Sequence, residues 1–473
     1  MKQNTSYTYS TFISPFTWRY GSEEMRRIFS EELKFHIWRS IWVALAKAQH
    51  KAGMVSLEEL EDLVKHQENI DIERILEIEK ETKHDVVAAI KEYAEKAKIG
   101  GGKIHMGATS MDIVDNADMV RAREALNLIE DKLRKIILLL CSKVLKYADV
   151  PCIGFTHLQP AEPTTVGYRF AFYLQDTFNN LKFLHFVKTN IKGKGFKGAV
   201  GTGASYTKLL QGSKITFGEM EKIIMEELGL ESALITSQVY PRQYDYLLLT
   251  LLSSIAASLS KFAGDLRILQ SPMFGEWSEP FGSKQVGSSA MPFKKNPINA
   301  EKICSLTRYI AGLPAIALEN SALSYLERTL DDSANRRLIM ADSFLALDEV
   351  LITAEKIIEG MVIFEEKIKF NLELYAPFAV TEVVMIEAVK KGANRQQIHE
   401  IIRGLSMESW QEINIGQKNS LKEKLLKNKD IAKFIPSNTL EKLFDIRKHV
   451  GNAPYRSLQL VKEVKKYLKV SQL

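Results

Sequence analysis

The chain is poor in cysteine. Its 473 residues include three: Cys141, Cys152 and Cys304, far apart and with no Cys-x-x-Cys spacing. That excludes a disulfide framework, gives no metal-site pattern and fits a reducing, cytoplasmic setting. Charge of one sign is not in strong excess either. Against 58 acidic residues stand 64 basic ones, a net charge of +6, spread along the chain. A nucleic-acid partner wants a concentrated basic face and is not expected; the mild excess suits a phosphorylated, carboxylated small molecule. Residues 1–12 have no apolar run and no Arg-rich amphipathic pattern, so no targeting segment is expected there. No strand pattern of any length, no internal repeat and no low-complexity linker is visible.

What is present is helical. Apolar residues make up 45% and charged residues 26%, the balance of a soluble globular protein, and the length implies two or three domains. Within residues 29–53, Leu33, Ile37, Trp38, Ile41, Trp42, Leu45 and Ala48 recur at helical spacing, and the two tryptophans read as core. Long helical patterns follow over residues 115–147, 163–192, 241–270, 297–318 and 333–360, which implies a bundle. Residues 372–391 and 395–406 read as further helices around Gly392. The expected fold is all-α, with three helical domains at 1–111, 112–364 and 365–473, the central one a bundle of long helices. Residues 246–260 include no charged side chain. At ~1.5 Å per residue the stretch is too short to span a membrane core of ~30 Å, so no membrane partner is expected. A helix apolar nearly all round is buried, either inside a subunit or, better, between subunits.

The loops carry the chemistry. Gly287-Ser288-Ser289-Ala290-Met291-Pro292-Phe293-Lys294-Lys295-Asn296-Pro297 is a flexible serine loop that runs into a helix start, with Asn296 expected as N-cap and Pro297 at the first helical position. Its lysines suit a mobile lid over an anion, although the same composition also makes an ordinary surface loop. Other polar clusters are Arg19-Tyr20, Lys83-His84-Asp85, the segment from His105 to Asp112 with the hydroxyl pair Thr109-Ser110, Thr156-His157-Leu158-Gln159-Pro160, and residues 328–337. Taken singly, each has a plain reading: a surface arginine, a helix-capping pair, a loop capped by Asp112 or Asp115, a histidine beside a proline turn, a capped helix with paired charges. The glycine-rich residues 198–203 lack the P-loop Lys-Ser/Thr and a strand–turn–helix setting, so they read as a tight structural turn. Ser333 and Arg337, four apart, share a helix face, and Ser333 lies near a helix N-terminus, where phosphate is favoured.

Gly-Ser-Ser-x-Met-Pro-x-Lys-x-Asn-Pro resembles the signature of the fumarase/aspartase superfamily, whose members eliminate fumarate from succinyl compounds. With Gln285 before it and residues 328–337 after it, the chain is similar to the branch of that superfamily acting on succinylated purine nucleotides. The resemblance covers nearly the whole chain, from Arg19 into the C-terminal domain. It implies β-elimination without metal or organic cofactor. The C–N bond of adenylosuccinate would break to give AMP and fumarate, and the succinyl-carboxamide ribotide of purine synthesis would be cleaved likewise. It implies His157 as general acid, Ser288 as general base, Lys294 as a stabilising cation, Glu301 as the group polarising His157, and His84 in the active site. It implies substrate contacts from Arg19 and Tyr20 to phosphate, from Thr109 and Ser110 to carboxylate, and from Arg328, Ser333 and Arg337 to phosphate and ribose. Asp85, His105, Gln238 and Asn296 complete the substrate set. Lys83 stands where relatives often have arginine and keeps the charge without the planar fork; Lys302 stands where some have a nucleotide-contacting arginine. The family forms homotetramers whose central helices share one bundle, so a homotetramer with shared active sites is implied.

The chemistry fits these residue types. Removing a Cβ proton next to a carboxylate builds a doubly charged aci-carboxylate. Cations and preorganised donors must stabilise it, a task for Lys294, Asn296 and the Thr109/Ser110 pair. The leaving nitrogen needs a proton from an acid near neutral pKa, hence histidine. A serine base needs its anion stabilised, by Lys294 and by loop N–H groups. Other readings stand beside this one. Another fumarate-releasing lyase, such as argininosuccinate lyase, is opposed by Arg19-Tyr20 and residues 328–337. A non-catalytic superfamily scaffold of the lens-crystallin kind is opposed by intact His157, Ser288 and Lys294. RNA binding rests on the basic excess alone.

Overall fold

A computed structural model describes residues 10–469. Residues 1–9, most of the stretch read for a targeting signal, and residues 470–473 lie outside the described residues. Among the described residues there are 18 α-helices and four short strands, so the fold is all-α. The chain divides into two compact units. The first takes the chain up to Leu133, Asn180–Ala257 and Ser305–Ile352; the second takes Arg134–Asn179, Ser258–Cys304 and the chain from Thr353 on.

In the first unit, helix α1 (Glu31–Lys51) starts because Ser30 accepts from the Leu33 N–H and Glu31 and Glu32 sit in its first turn. Both are favourable at a helix N-terminus. Trp38, Ile41, Trp42, Leu45 and Ala48 are buried on it, and with Tyr93, Val120, Tyr206 and Ile224 they build this unit's core. Helices α2 (Ile72–Thr82) and α3 (Asp85–Lys96) follow. Five long helices come next: α4 (Ser110–Tyr147), α5 (Val166–Asn190), α6 (Gln243–Gln270), α7 (Ile298–Ala322) and α8 (Ser333–Gly360). Every boundary between the units falls inside one of these five. The second unit has its own core of Val380, Val384, Ile398, Leu421, Leu425 and Ile431, supplied by α9 (Glu365–Lys390), α10 (Arg395–Asn414) and shorter helices.

Short strands exist where none was expected. β1 (Pro151–Thr156) pairs antiparallel with β2 (Gln159–Thr165), Thr156 opposite Gln159. His157 and Leu158 form the two-residue turn, at φ +54° and +58°. Both central residues are left-handed, as a type I′ hairpin turn requires. Neither is the usual Asn or Gly, and Pro160 and Pro163 read as strand breakers, so the hairpin was hidden in the sequence. Prolines fit because an isolated pair of strands is all edge. The hairpin takes Pro163, so α5 begins at Val166, later than its pattern.

Helix α6 is, by length and composition, long and apolar enough to cross a membrane. Leu248, Leu249, Leu251, Leu252, Ile255 and Leu259 on it are buried within the single chain, as in a core helix.

Candidate active site

A cavity of about 690 Å³ lies in the first unit. Its walls come from the end of α2, the start of α3, one face of α4, Gln238, the segment after Arg328 and the start of α8. Nine residues chosen from the sequence line it: Lys83, His84, Asp85, Thr109, Ser110, Gln238, Arg328, Ser333 and Arg337. Lys83 closes α2 in the left-handed region at φ +55°. His84 is the N-cap of α3, its Nδ1 accepting from the Val87 N–H at 3.4 Å, so one residue both caps the helix and lines the cavity. The Asp85 carboxylate accepts from Arg337 Nη2 at 2.9 Å. Arg328 Nη1 donates to Gln238 Oε1 at 3.3 Å. Ser333, Arg336, Arg337 and Met340 line the wall as one face of α8.

Behind this wall lies a layer of buried ion pairs. Arg336 Nε meets Asp245 Oδ2 at 2.6 Å and its Nη2 donates to the Tyr240 hydroxyl at 2.6 Å. Arg242 bridges Asp332 at 2.7 Å and Asp115 at 3.1 Å. All six residues are buried. Burial pushes the Asp245 carboxyl up, but Arg336 and Arg242 together hold it below the usual carboxylate range. Removing one partner of such a pair is strongly destabilising, so the start of α8 is fixed against α4 and the start of α6.

Thr109 and Ser110 stand at the N-terminus of α4, where the Thr109 N–H donates to Asp112 Oδ2 at 3.0 Å. Asp112 is fully buried. It also accepts from the Lys197 N–H at 3.2 Å, the Gly198 N–H at 3.2 Å, the Tyr206 hydroxyl at 3.2 Å and the buried Lys194 ammonium. The glycine-rich turn therefore does cradle an anion, and the anion is the chain's own carboxylate. A Cβ on Gly201 would stand 1.9 Å from the Thr236 carbonyl oxygen, so that approach requires glycine.

Three of the remaining sequence candidates also belong to the first unit, and none lines the cavity. His105 holds φ +65°, a conformation costing about 1–3 kcal/mol for such a residue. Its Nδ1 accepts from Trp42 Nε1–H at 3.1 Å, and burial pushes its pKa down to about 4. Arg19 is exposed, its guanidinium 5.5 Å from the Trp18 ring and 6.0 Å from the Tyr20 ring. The cavity also has walls that the sequence reading missed: Lys34 and Trp38 on α1, Asp118 and Arg121 on α4, and Arg336. The available signal was spacing, since Ser110, Val114, Asp118 and Arg121 recur on one face of α4.

The second unit holds the other candidates. His157 is exposed at the hairpin tip. Ser288 Oγ accepts from the N–H groups of Ala290 and Met291 at 3.3 and 3.1 Å. A Cβ on Gly287 would meet the Lys294 carbonyl oxygen at 1.9 Å, so the two arms of the loop touch backbone to backbone. Asn296 does not cap α7. Its Nδ2 donates to the Gly287 carbonyl at 2.9 Å, and Glu279 takes the cap, accepting from the Asn299 and Ala300 N–H groups at 3.2 and 3.0 Å. A carboxylate satisfies those orphan donors and meets the positive end of the helix dipole, which frees Asn296 to staple the loop. Ser289 and Lys294 are exposed, Lys302 is half-buried, and Glu301 stands 4.0 Å from Arg267. Among the described residues no cluster of three His, Cys, Asp or Glu side chains is arranged to hold a metal ion.

Comparison with known proteins places this arrangement in a class. The solved structure of a 3-carboxy-cis,cis-muconate lactonizing enzyme from Pseudomonas putida matches with TM-score 0.83 over 96% of this chain and 99% of that one, at 23% identity, a likeness of fold alone. A family model described as Lyase matches residues 19–312, more than half of the chain, so the chain is a member of a lyase family. A second model, described as adenylosuccinate lyase C-terminus, matches residues 377–457. An adenylosuccinate lyase from Pyrococcus abyssi is 38% identical over 447 residues, 93% of this chain and 97% of the relative. One from Schizosaccharomyces pombe is 36% identical over 460 residues, 96% of this chain and 94% of the relative. The chain belongs to the adenylosuccinate lyase family.

Proposed function

We infer that the chain is a carbon–nitrogen lyase that eliminates fumarate from adenylosuccinate to give AMP, and from succinylaminoimidazole carboxamide ribotide by the same step, in purine nucleotide synthesis. The observation that carries this reading is the convergence of nine family-motif residues on one cavity. Arg328, Ser333 and Arg337 hold the phosphate and ribose at the start of α8, where an anion is favoured. Thr109 and Ser110 hold a carboxylate at the start of α4. Ser288 takes the Cβ proton, the C–N pair leaves with the nitrogen, and His157 supplies that nitrogen's proton while the C=C bond of fumarate forms. The two N–H groups already directed at Ser288 Oγ support this choice, because they stabilise the oxyanion a serine base needs. Lys294 adds charge to the same region, Glu301 polarises His157, and Arg19, Tyr20 and Lys302 contact the nucleotide. The decisive experiment adds adenylosuccinate to the purified protein and follows AMP and fumarate; turnover of argininosuccinate in its place would contradict the reading.

The reading includes a cytoplasmic homotetramer with active sites shared between chains, and three domains bounded at 111 and 364. The uncharged residues 246–260 and the dispersal of motifs over separate segments support it. A His157→Ala variant and a Ser288→Ala variant, each inactive, should regain partial activity when mixed and reassembled. No recovery, with a monomeric mass by light scattering, would contradict the tetramer.

A further inference from the structure

The loop that carries His105 is gripped from one face of α1. Trp42 and Gln49 lie two helical turns apart on that face. Trp42 Nε1–H donates to His105 Nδ1 at 3.1 Å, and Gln49 Nε2 donates to the Met106 carbonyl at 2.8 Å. Both side chains are buried. The gripped segment is strained at His105, which holds φ +65°, while Gly107 takes φ +81° at no steric cost. Left-handed non-glycine residues persist only where the surroundings over-determine them, and they cluster at functional sites. The two rings meet edge to face, centroids 6.2 Å apart at 78°, so the ring orientation of His105 is set by packing as well as by the hydrogen bond.

An indole N–H is a donor and nothing else. The nitrogen that accepts from it must offer a lone pair, and a neutral imidazole with a lone pair on Nδ1 carries its proton on Nε2. The Trp42 bond is the one hydrogen bond of this ring among the described residues. We propose that Trp42 is a positioning residue that locks His105 in the neutral Nε2–H form, so that His105 meets the substrate as a fixed hydrogen-bond donor and takes no part in proton transfer. The donor role rests on the reading of His105 as a substrate-binding residue; the lock itself does not. The charged surroundings agree. Burial dominates the depression of the ring's pKa, the Asp112 carboxylate on α4 opposes it, and His84 at the start of α3 adds to it. Protonation would also set a second N–H at Nδ1 against the indole N–H. A succinylated nucleotide is rich in acceptor oxygens, and a ring free to change tautomer would turn a lone pair toward them part of the time.

Histidine-selective ¹⁵N labelling and solid-state NMR of the whole protein, with His105→Gln for assignment, read the lock directly. An unprotonated Nδ1 and a protonated Nε2 are expected near neutral pH. In Trp42→Phe, which keeps an aromatic ring and loses the donor, the two tautomers should mix. A protonated Nδ1 in the unaltered protein overturns the lock. Kinetics reads the role. Trp42→Phe frees the tautomer and the ring's rotation together, and should lower kcat/KM about 10-fold, the equivalent of losing the hydrogen bond that His105 donates to substrate. His105→Gln offers a side-chain amide N–H as donor and has no tautomers, so adding Trp42→Phe to it should cost less than about 2-fold, within the scatter expected of uncoupled changes. If the two changes multiply instead, Trp42 only fills the core and the positioning role is overturned. If His105→Ala leaves turnover unchanged while the ¹⁵N signature stands, the donor role is overturned and the lock remains.

Discussion

The cavity of the first unit and the serine loop of the second hold similar polar residues in opposite ways. Around the cavity, the side chains rest on buried charge pairs: Arg242 with Asp115 and Asp332, Arg336 with Asp245, and Lys194 with Asp112. In the loop, Lys294 and Ser289 are exposed, and most of the order comes from the loop itself, through Asn296 on Gly287 and the N–H groups on Ser288, with Gln270 Nε2 donating to the Lys295 carbonyl at 3.1 Å from outside it. Preorganised contacts bind without an ordering cost on arrival. A group that acts only after the ligand has entered belongs on a segment that can close. On the proposed function, binding falls to the region held by buried charge pairs and chemistry to the exposed loop.

The sharpest test of that contrast is stability. Asp112→Ala leaves the Lys194 ammonium buried without its partner and should cost about 3–5 kcal/mol, measured by urea unfolding. Asn296→Ala, which removes one loop hydrogen bond, should cost about 1 kcal/mol. Equal losses would erase the difference between the regions. In catalysis the order reverses. Ser288→Ala should cut kcat by ~10²-fold or more, and Ser289→Ala much less; comparable, mild single-turnover losses in the two would reject Ser288 as the base. Arg328→Ala and Arg337→Ala should raise KM, each by the equivalent of about 1.5–3 kcal/mol. The smaller rise belongs to Arg337, whose side chain is 65% exposed. Both variants should discriminate less than the unaltered protein against substrate lacking the phosphate. pH acts on folding as well. His105 titrates lower in the fold, at about 4, than in the unfolded chain, near 6.5. Between these values the unfolded state binds more protons, so stability rises with pH through that window and is level above it. His105→Gln should flatten this slope in pH-dependent unfolding; an unchanged slope would reject the depressed pKa.

Much of this was legible in the sequence because it is local. The buried face of α1 follows from the spacing of Trp38, Ile41, Trp42 and Leu45. The cavity residues were legible through motif wording, and Ser333 with Arg337 through helical spacing as well. What stayed hidden depends on partners remote in the chain. The hairpin under His157 uses a His-Leu turn that propensity does not favour. The cap of α7 comes from Glu279, 20 residues upstream of Asn299, so the local Asn296 was the natural expectation. Arg121 and Arg336 were not singled out, and packing places them in the cavity wall. The glycine-rich turn showed its geometry and concealed its anion, Asp112, because the pairing spans more than 80 residues.

The central claim, that binding belongs to the first unit's cavity and proton abstraction to the serine loop, is tested most directly by calorimetric titration of adenylosuccinate into two variants, Ser288→Ala and Ser288→Ala with Arg328→Ala. Without the base, the ligand is bound and not consumed. The single variant should bind with a Kd close to the KM of the unaltered protein, and the double variant about 10-fold or more weakly. Equal Kd values for the two, or loss of binding in Ser288→Ala alone, would contradict the account.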